Sequence, residues 1–212
     1  MPKTNPRIQK AKSFRYHYFS AKHRLYLKHC IESLTEYVAN NDIKNIVFVD
    51  RSARSAWIGF YTYWKLNFSD RKMPTIYFFN PDGFDYSYSE KLFSNTFTRL
   101  INEKDLPMVI FDTCAHTGET LNKITVSLND LGFSKINVIT ANPPERRSRI
   151  KTACVIDKYF NEECCYPFGM NNLVKRKEKS FVCKRRHNSD VRKSGLQIRK
   201  EIRQTVIDDY VF

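Results

Sequence analysis

Residues 107–132 read PMVIFDTCAHTGETLNKITVSLNDLG, and the fold is decided in this stretch. Met108, Val109, Ile110 and Phe111 form a short apolar run of the kind a strand covered on both faces requires, and Asp112 ends it. A loop of small and polar residues follows, from Thr113 to Thr120. Leu121, Ile124, Leu128 and Leu131 then recur at three- and four-residue steps, the stripe of a helix packed on a sheet. Gly132 stands where such a helix stops. Strand, loop and helix in this order aim the loop's N–H groups and the helix dipole at one point, which attracts an anion. Gly118 lets the backbone come close to that anion, and the Thr117 and Thr120 hydroxyls add donors. The stretch therefore predicts a phosphate cradle with one carboxylate, Asp112, at its lip. The plain alternative is a strand–helix turn that binds nothing.

This run of hydrophobics, an acidic step and T-G-x-T resembles the phosphoribosyl pyrophosphate (PRPP) signature of type I phosphoribosyltransferases. In that family two adjacent acidic residues hold the ribose 2′- and 3′-hydroxyls, and the following loop wraps the 5′-phosphate. The resemblance implies that Asp112 takes the first acidic place and Thr113 the second. Ala115, His116, Thr117, Gly118, Glu119 and Thr120 then form the phosphate loop. The chain departs from the pattern at Thr113, which can hydrogen-bond a hydroxyl but adds no negative charge. Two rival turns fit less well. A dinucleotide-binding turn needs G-x-G-x-x-G after the strand, and only Gly118 is present. A phosphatase of the haloacid dehalogenase type places a second Asp two residues after the first, where Cys114 stands.

Length and composition set the frame. With 212 residues, the chain can build one sizeable α/β domain. Hydrophobic residues make up 42% and charged residues 27%, which indicates a soluble globular protein and excludes a disordered one. A formal net charge of +14 favours polyanionic partners, from phosphorylated small molecules to nucleic acid. No apolar stretch approaches the ~20 residues of a membrane span, and the first residues lack the apolar core of a signal peptide. Cys30, Cys114, Cys154, Cys164, Cys165 and Cys183 show neither a C-x-x-C pair nor zinc-site spacing. Thiols in a reducing cytoplasm are the better reading.

The remaining segments repeat the strand–helix alternation. Leu27, Cys30, Ile31, Leu34, Tyr37 and Val38 share one face of a helix over residues 21–40. Asn45 to Val49 is the first core strand, and Asp50-Arg51-Ser52-Ala53-Arg54 follows it. The resemblance implies that this loop contacts the pyrophosphate of PRPP through Arg51, Ser52 and Arg54. Arginine suits bidentate phosphate contact. The next helix carries Trp57, Phe60, Tyr61 and Trp64, of which Trp57, Phe60 and Trp64 are read as core aromatics. Thr75 to Asn80 is a strand, and a helix with Leu92, Phe93, Phe97, Leu100 and Ile101 on its buried side lies beyond it. In the resembled family a mobile loop closes over the ribose, which implies a lid at Gly83 to Ser89. Lys135 to Ala141 is a buried strand, Thr152 to Ile156 an edge strand, and Phe181 to Cys183 a short strand candidate. Val191, Leu196, Ile198, Ile202 and Val206 mark a closing helix capped by Ser189.

These elements predict an α/β fold, a single domain with a mainly parallel central sheet flanked by helices, type I phosphoribosyltransferase-like. A basic N-terminal arm spans 1–20, the core 21–160, and a basic C-terminal extension 161–212 packs on it. Ligands of such sheets bind at the carboxyl ends of the strands, where Asp50 and Asp112 both stand.

The resemblance implies transfer of phosphoribose to a nitrogen acceptor with release of pyrophosphate. Asp112, His116 and Arg51 are the catalytic candidates. Mg²⁺ would be held by the substrate's own oxygens, with no metal ligands from the protein. His116 and Asp157-Lys158-Tyr159 lean towards a purine-like base. The alternative is a non-catalytic regulator that senses PRPP or a nucleotide and binds nucleic acid through its basic surface. An oligomer is compatible with either reading.

Overall fold

Five short apolar runs pair into one sheet, and each pairing is parallel. The computed structural model describes residues 14–49, 53–79, 98–113, 118–141, 154–155 and 189–208. The strands are β1 (Asn45–Val49), β2 (Thr75–Phe79), β3 (Met108–Asp112), β4 (Ile136–Thr140) and β5 (Cys154–Val155). The helices are α1 (Ala21–Asn40), α2 (Ala53–Asn67), α3 (Glu119–Asp130) and α4 (Ser189–Ile207), with a 3-10 helix at Thr98–Glu103. Parallel strands cannot be joined by tight hairpins, so the chain crosses a face of the sheet through α2 between β1 and β2 and through α3 between β3 and β4. The spatial order β2-β1-β3-β4-β5 reverses direction between β1 and β3.

Period-two alternation divides each strand between two apolar layers. Ile46, Phe48, Val109, Phe111 and Ile139 face a layer built from α1, α2 and α4, into which Ile198, Ile202 and Val206 also pack. Val47, Val49, Met108, Ile110 and Val138 face the other layer, covered by Leu121, Ile124 and Leu128 of α3 and by Leu100. Burial on both faces explains why β1 after Asn45, and β3 up to Asp112, are wholly apolar.

Local signals set the helix ends. The Ser20 hydroxyl accepts the His23 N–H at 3.2 Å while His23 Nδ1 accepts the Ser20 N–H at 3.4 Å, a reciprocal cap with histidine in the usual Glu position. At the end of α3, Gly132 adopts φ +90°. Its N–H bonds Asn129 O at 2.8 Å, and the Phe133 N–H bonds Leu128 O at 3.0 Å, which satisfies the last carbonyls. Phe133 and Leu128 then meet in the core.

Glu201 of α4 is fully buried and holds the segment that leads into α1. Its carboxylate accepts the backbone N–H groups of His17 at 2.8 Å, Tyr18 at 2.9 Å and Phe19 at 3.0 Å. Gln197 Nε2 donates to the same group at 3.1 Å. Nearby, the Tyr16 hydroxyl donates to Asp208, and the Arg24 guanidinium lies 4.0 Å from the Tyr16 ring centre.

Three expectations are corrected. Ile101 and Leu196 are exposed, not buried, and Ser189 is the first helical residue of α4, not its cap. Leu92, Phe93 and Phe97, the lid at 83–89, residues 157–159 and the 181–183 strand candidate lie outside the described residues.

Candidate functional site

The carboxyl ends of β1 and β3 lie side by side. Phe48 pairs with Phe111, so Val49 and Asp112, the next residues, end neighbouring strands at one level. The chain order reverses between these two strands, and in open parallel sheets such a reversal leaves a crevice in which ligands bind. The crossover after β1 leads into α2 on one face, and that after β3 leads into α3 on the other.

Asp112 is buried at 9% exposure, and Thr113 beside it is buried at 3%. Asp112 pairs in register with Thr140, the last residue of β4, and accepts the Ala141 N–H at its backbone oxygen at 3.1 Å. Alternation along β3 and β4 turns both side chains towards the α3 face, after Ile110 and Val138. The Thr140 hydroxyl is fully buried and has no hydrogen-bond partner among the described residues. Thr140 had not been singled out from the sequence. The available signal was a polar residue closing an otherwise apolar strand beside the strand that ends in Asp112.

Gly118 is the cap residue of α3, in the left-handed conformation with φ 71°. It offers no side-chain cap, so the first N–H groups of α3 are not closed off by it. A residue with Cβ would be strained there. Glu119 is exposed and binds Lys123 Nζ at 2.6 Å, one turn down the helix. That hydrogen bond, and then the ammonium charge, hold its carboxyl below the ordinary range. The Glu119 carboxylate is thus drawn along the helix towards solvent, and Thr120 behind it is half-buried.

On the other loop, Arg54 lies in the first turn of α2, with its guanidinium carbon 5.3 Å from the Phe78 ring centre. No acidic residue occupies that turn. The expected aromatic core of α2 is present: Phe60 and Trp64 are buried and Trp57 is half-buried, whereas Tyr61 is exposed. Arg51, Ser52, Ala115, His116 and Thr117 lie outside the described residues. Among the described residues, no three His, Cys, Asp or Glu side chains gather into a metal site, and no helix is long and apolar enough to cross a membrane.

No protein-family model and no curated protein matches the chain. Among solved structures, it is similar to a purine phosphoribosyltransferase from Pyrococcus horikoshii Ot3, with 15% sequence identity and a TM-score of 0.42, over 60% of this chain and 79% of that one.

Proposed function

We propose that the chain binds PRPP, or a nucleotide of similar shape, above the ends of β1 and β3 and transfers phosphoribose to a nitrogen acceptor. The observation that carries this reading is the adjacency of the two strand ends at the point of chain reversal, one of them closed by the buried carboxylate of Asp112. In this reading the 5′-phosphate sits on the loop from Ala115 to Thr120, at the uncapped start of α3. Asp112 and Thr113 hold the ribose hydroxyls, and Arg51, Ser52 and Arg54 hold the pyrophosphate.

The acceptor nitrogen forms a bond to ribose C1 as the bond from C1 to the pyrophosphate oxygen breaks, and the pyrophosphate leaves with the electron pair. Positive character grows on the ring and negative charge on the leaving group. The arginines stabilise the latter. A Mg²⁺ ion carried by the substrate rather than held by protein ligands would supply further charge neutralisation, in keeping with its preference for substrate and water over protein cages. His116 exchanges a proton with a purine-like base near neutral pH.

A second reading keeps the binding and omits the reaction. It is favoured by Thr113, a neutral and buried residue where the resembled family has its second acid. Calorimetric titration with PRPP and Mg²⁺, followed by a screen of bases for pyrophosphate release, separates the two. Binding with release supports the transferase, and binding without release from any acceptor supports a PRPP sensor. Asp112→Asn should weaken PRPP binding at least about tenfold, the equivalent of ~1.4 kcal/mol, with little change in Tm. Arg54→Ala should weaken PRPP more than ribose 5-phosphate. Absence of PRPP binding by the wild type, or wild-type affinity in Asp112→Asn, would refute both readings.

A further inference from the structure

From Gln197 onward, α4 sorts its charges by sign. Glu201 points into the protein and binds backbone N–H groups, and Asp208, just past the helix end, accepts from Tyr16 and from Gln204 Nε2 at 2.6 Å. Arg199, Lys200 and Arg203 are all exposed. With Leu196 they fall at helical steps of three and four residues, so they form one solvent-facing stripe. Among the described residues, none of these three cations has an acidic partner. Two lysines on other helices do have acidic partners: Lys28 with Glu32 at 3.6 Å on α1, and Lys123 with Glu119 at 2.6 Å on α3. On α4, Arg199 stands four residues before Arg203 and Lys200 three, a like-charge arrangement that weakens an isolated helix.

A row of anions would relieve that repulsion. Arg199 and Arg203 are separated by about 6 Å along the helix, close to two ~3.4 Å steps along one strand of a duplex. The helix, SDVRKSGLQIRKEIRQTVI, contains no aromatic residue on which an unpaired base could stack. Its apolar face, Ile198, Ile202 and Val206, is committed to the protein core and is not available to a bilayer. We propose that the Arg199-Lys200-Arg203 stripe docks on the phosphate backbone of duplex nucleic acid without reading its sequence. The net charge of +14 draws such a polyanion to the protein, and the stripe determines where it lands.

The test measures anisotropy of a short labelled DNA duplex and its RNA counterpart, both of arbitrary sequence, titrated with the full chain from about 50 to 200 mM salt. The triple variant Arg199→Gln/Lys200→Gln/Arg203→Gln should bind at least one duplex more weakly, with a log–log salt slope about 2–3 units shallower than wild type. A control triple, Lys72→Gln/Lys104→Gln/Lys135→Gln, removes three exposed charges just before β2, β3 and β4. It should flatten the slope by less than about 1 unit. Equal slopes for the two triples overturn the proposal, as does tighter binding of the wild type to phosphatidylserine vesicles than to either duplex. If the stripe triple melts early, Arg203→Gln alone must still flatten the slope by about 1 unit, and an unchanged slope refutes the assignment. PRPP binding should be the same in all variants, which keeps this test separate from the sugar-phosphate reading.

Discussion

The Glu201 carboxylate accepts the Phe19 N–H at 3.0 Å and so joins α4 to the entry of α1 across 182 positions of sequence. Together with the bonds from His17 and Tyr18, this single side chain replaces the strand partner that the 17–19 backbone lacks. Glu201→Ala should cost at least about 3 kcal/mol, because three N–H groups lose their acceptor and each loss costs ~1 kcal/mol or more. Glu201→Gln should cost less, since it keeps one acceptor oxygen. Urea unfolding measures both, and an Ala variant as stable as wild type would show that water serves those groups equally well.

Tyr16 should make the fold sensitive to alkali. Burial, and then the hydrogen bond to Asp208, raise its hydroxyl pKa well above the ordinary value near 10.0. Above pH 10 the unfolded chain therefore releases this proton more readily than the folded one. The stability contribution is complete below about pH 10 and is lost as pH rises through the folded value. Tm scans between about pH 8 and 10.5 should fall more steeply for wild type than for Tyr16→Phe. Parallel curves would mean that Tyr16 ionises alike in both states.

Thr140→Val should leave Tm unchanged or raise it. The hydroxyl is buried without a partner among the described residues, and such a group destabilises by about 1 kcal/mol or more, so an isosteric apolar side chain removes a burden. A marked loss of stability would reveal a bond from that hydroxyl to the neighbouring Asp112 carboxylate. Measuring PRPP affinity on the same variant would then show whether this contact orients Asp112.

Gly59 of α2 packs closely against Ile31 of α1. A Cβ at this position would stand 1.8 Å from Ile31 Cδ1 and 2.7 Å from Cγ1. Ile31 is itself buried at 1% exposure among the core residues of α1 and α2, so its Cδ1 must shift within a packed core. Gly59→Ala should destabilise by about 1–3 kcal/mol, the usual cost of overpacking. Ile31→Val, which deletes Cδ1, should recover part of that loss in the double variant, and simple additivity would exclude the contact as the cause.

The elements legible in the sequence were those written in local pattern. The span of α1 from Ala21 to Asn40 and of β1 from Asn45 to Val49 follows from apolar periodicity alone, and Gly132 announces the end of α3 by its backbone freedom. The strand-end position of Asp112 was equally visible, because an acid stops an apolar run. Less visible were choices made by tertiary contact. Glu201 looks like one more charge on a polar helix, since its partners are backbone groups without a side-chain signature. Leu196 matched the apolar spacing but landed in the solvent-facing stripe beside Arg199 and Lys200. For the candidate site, the adjacency of β1 and β3 depends on strand order, which no local pattern encodes.

The bond from Tyr16 to Asp208 brings the two extremities of the described chain into contact. A short linker joining them, with new ends opened in the turn at Ser69-Asp70 between α2 and β2, should yield a circularly permuted protein with its sheet intact. In such a rearranged chain, Glu201 and Phe19 become near neighbours in sequence. The closure between first and last helices would then form early in folding, where the natural order leaves it among the most distant of the described contacts to assemble.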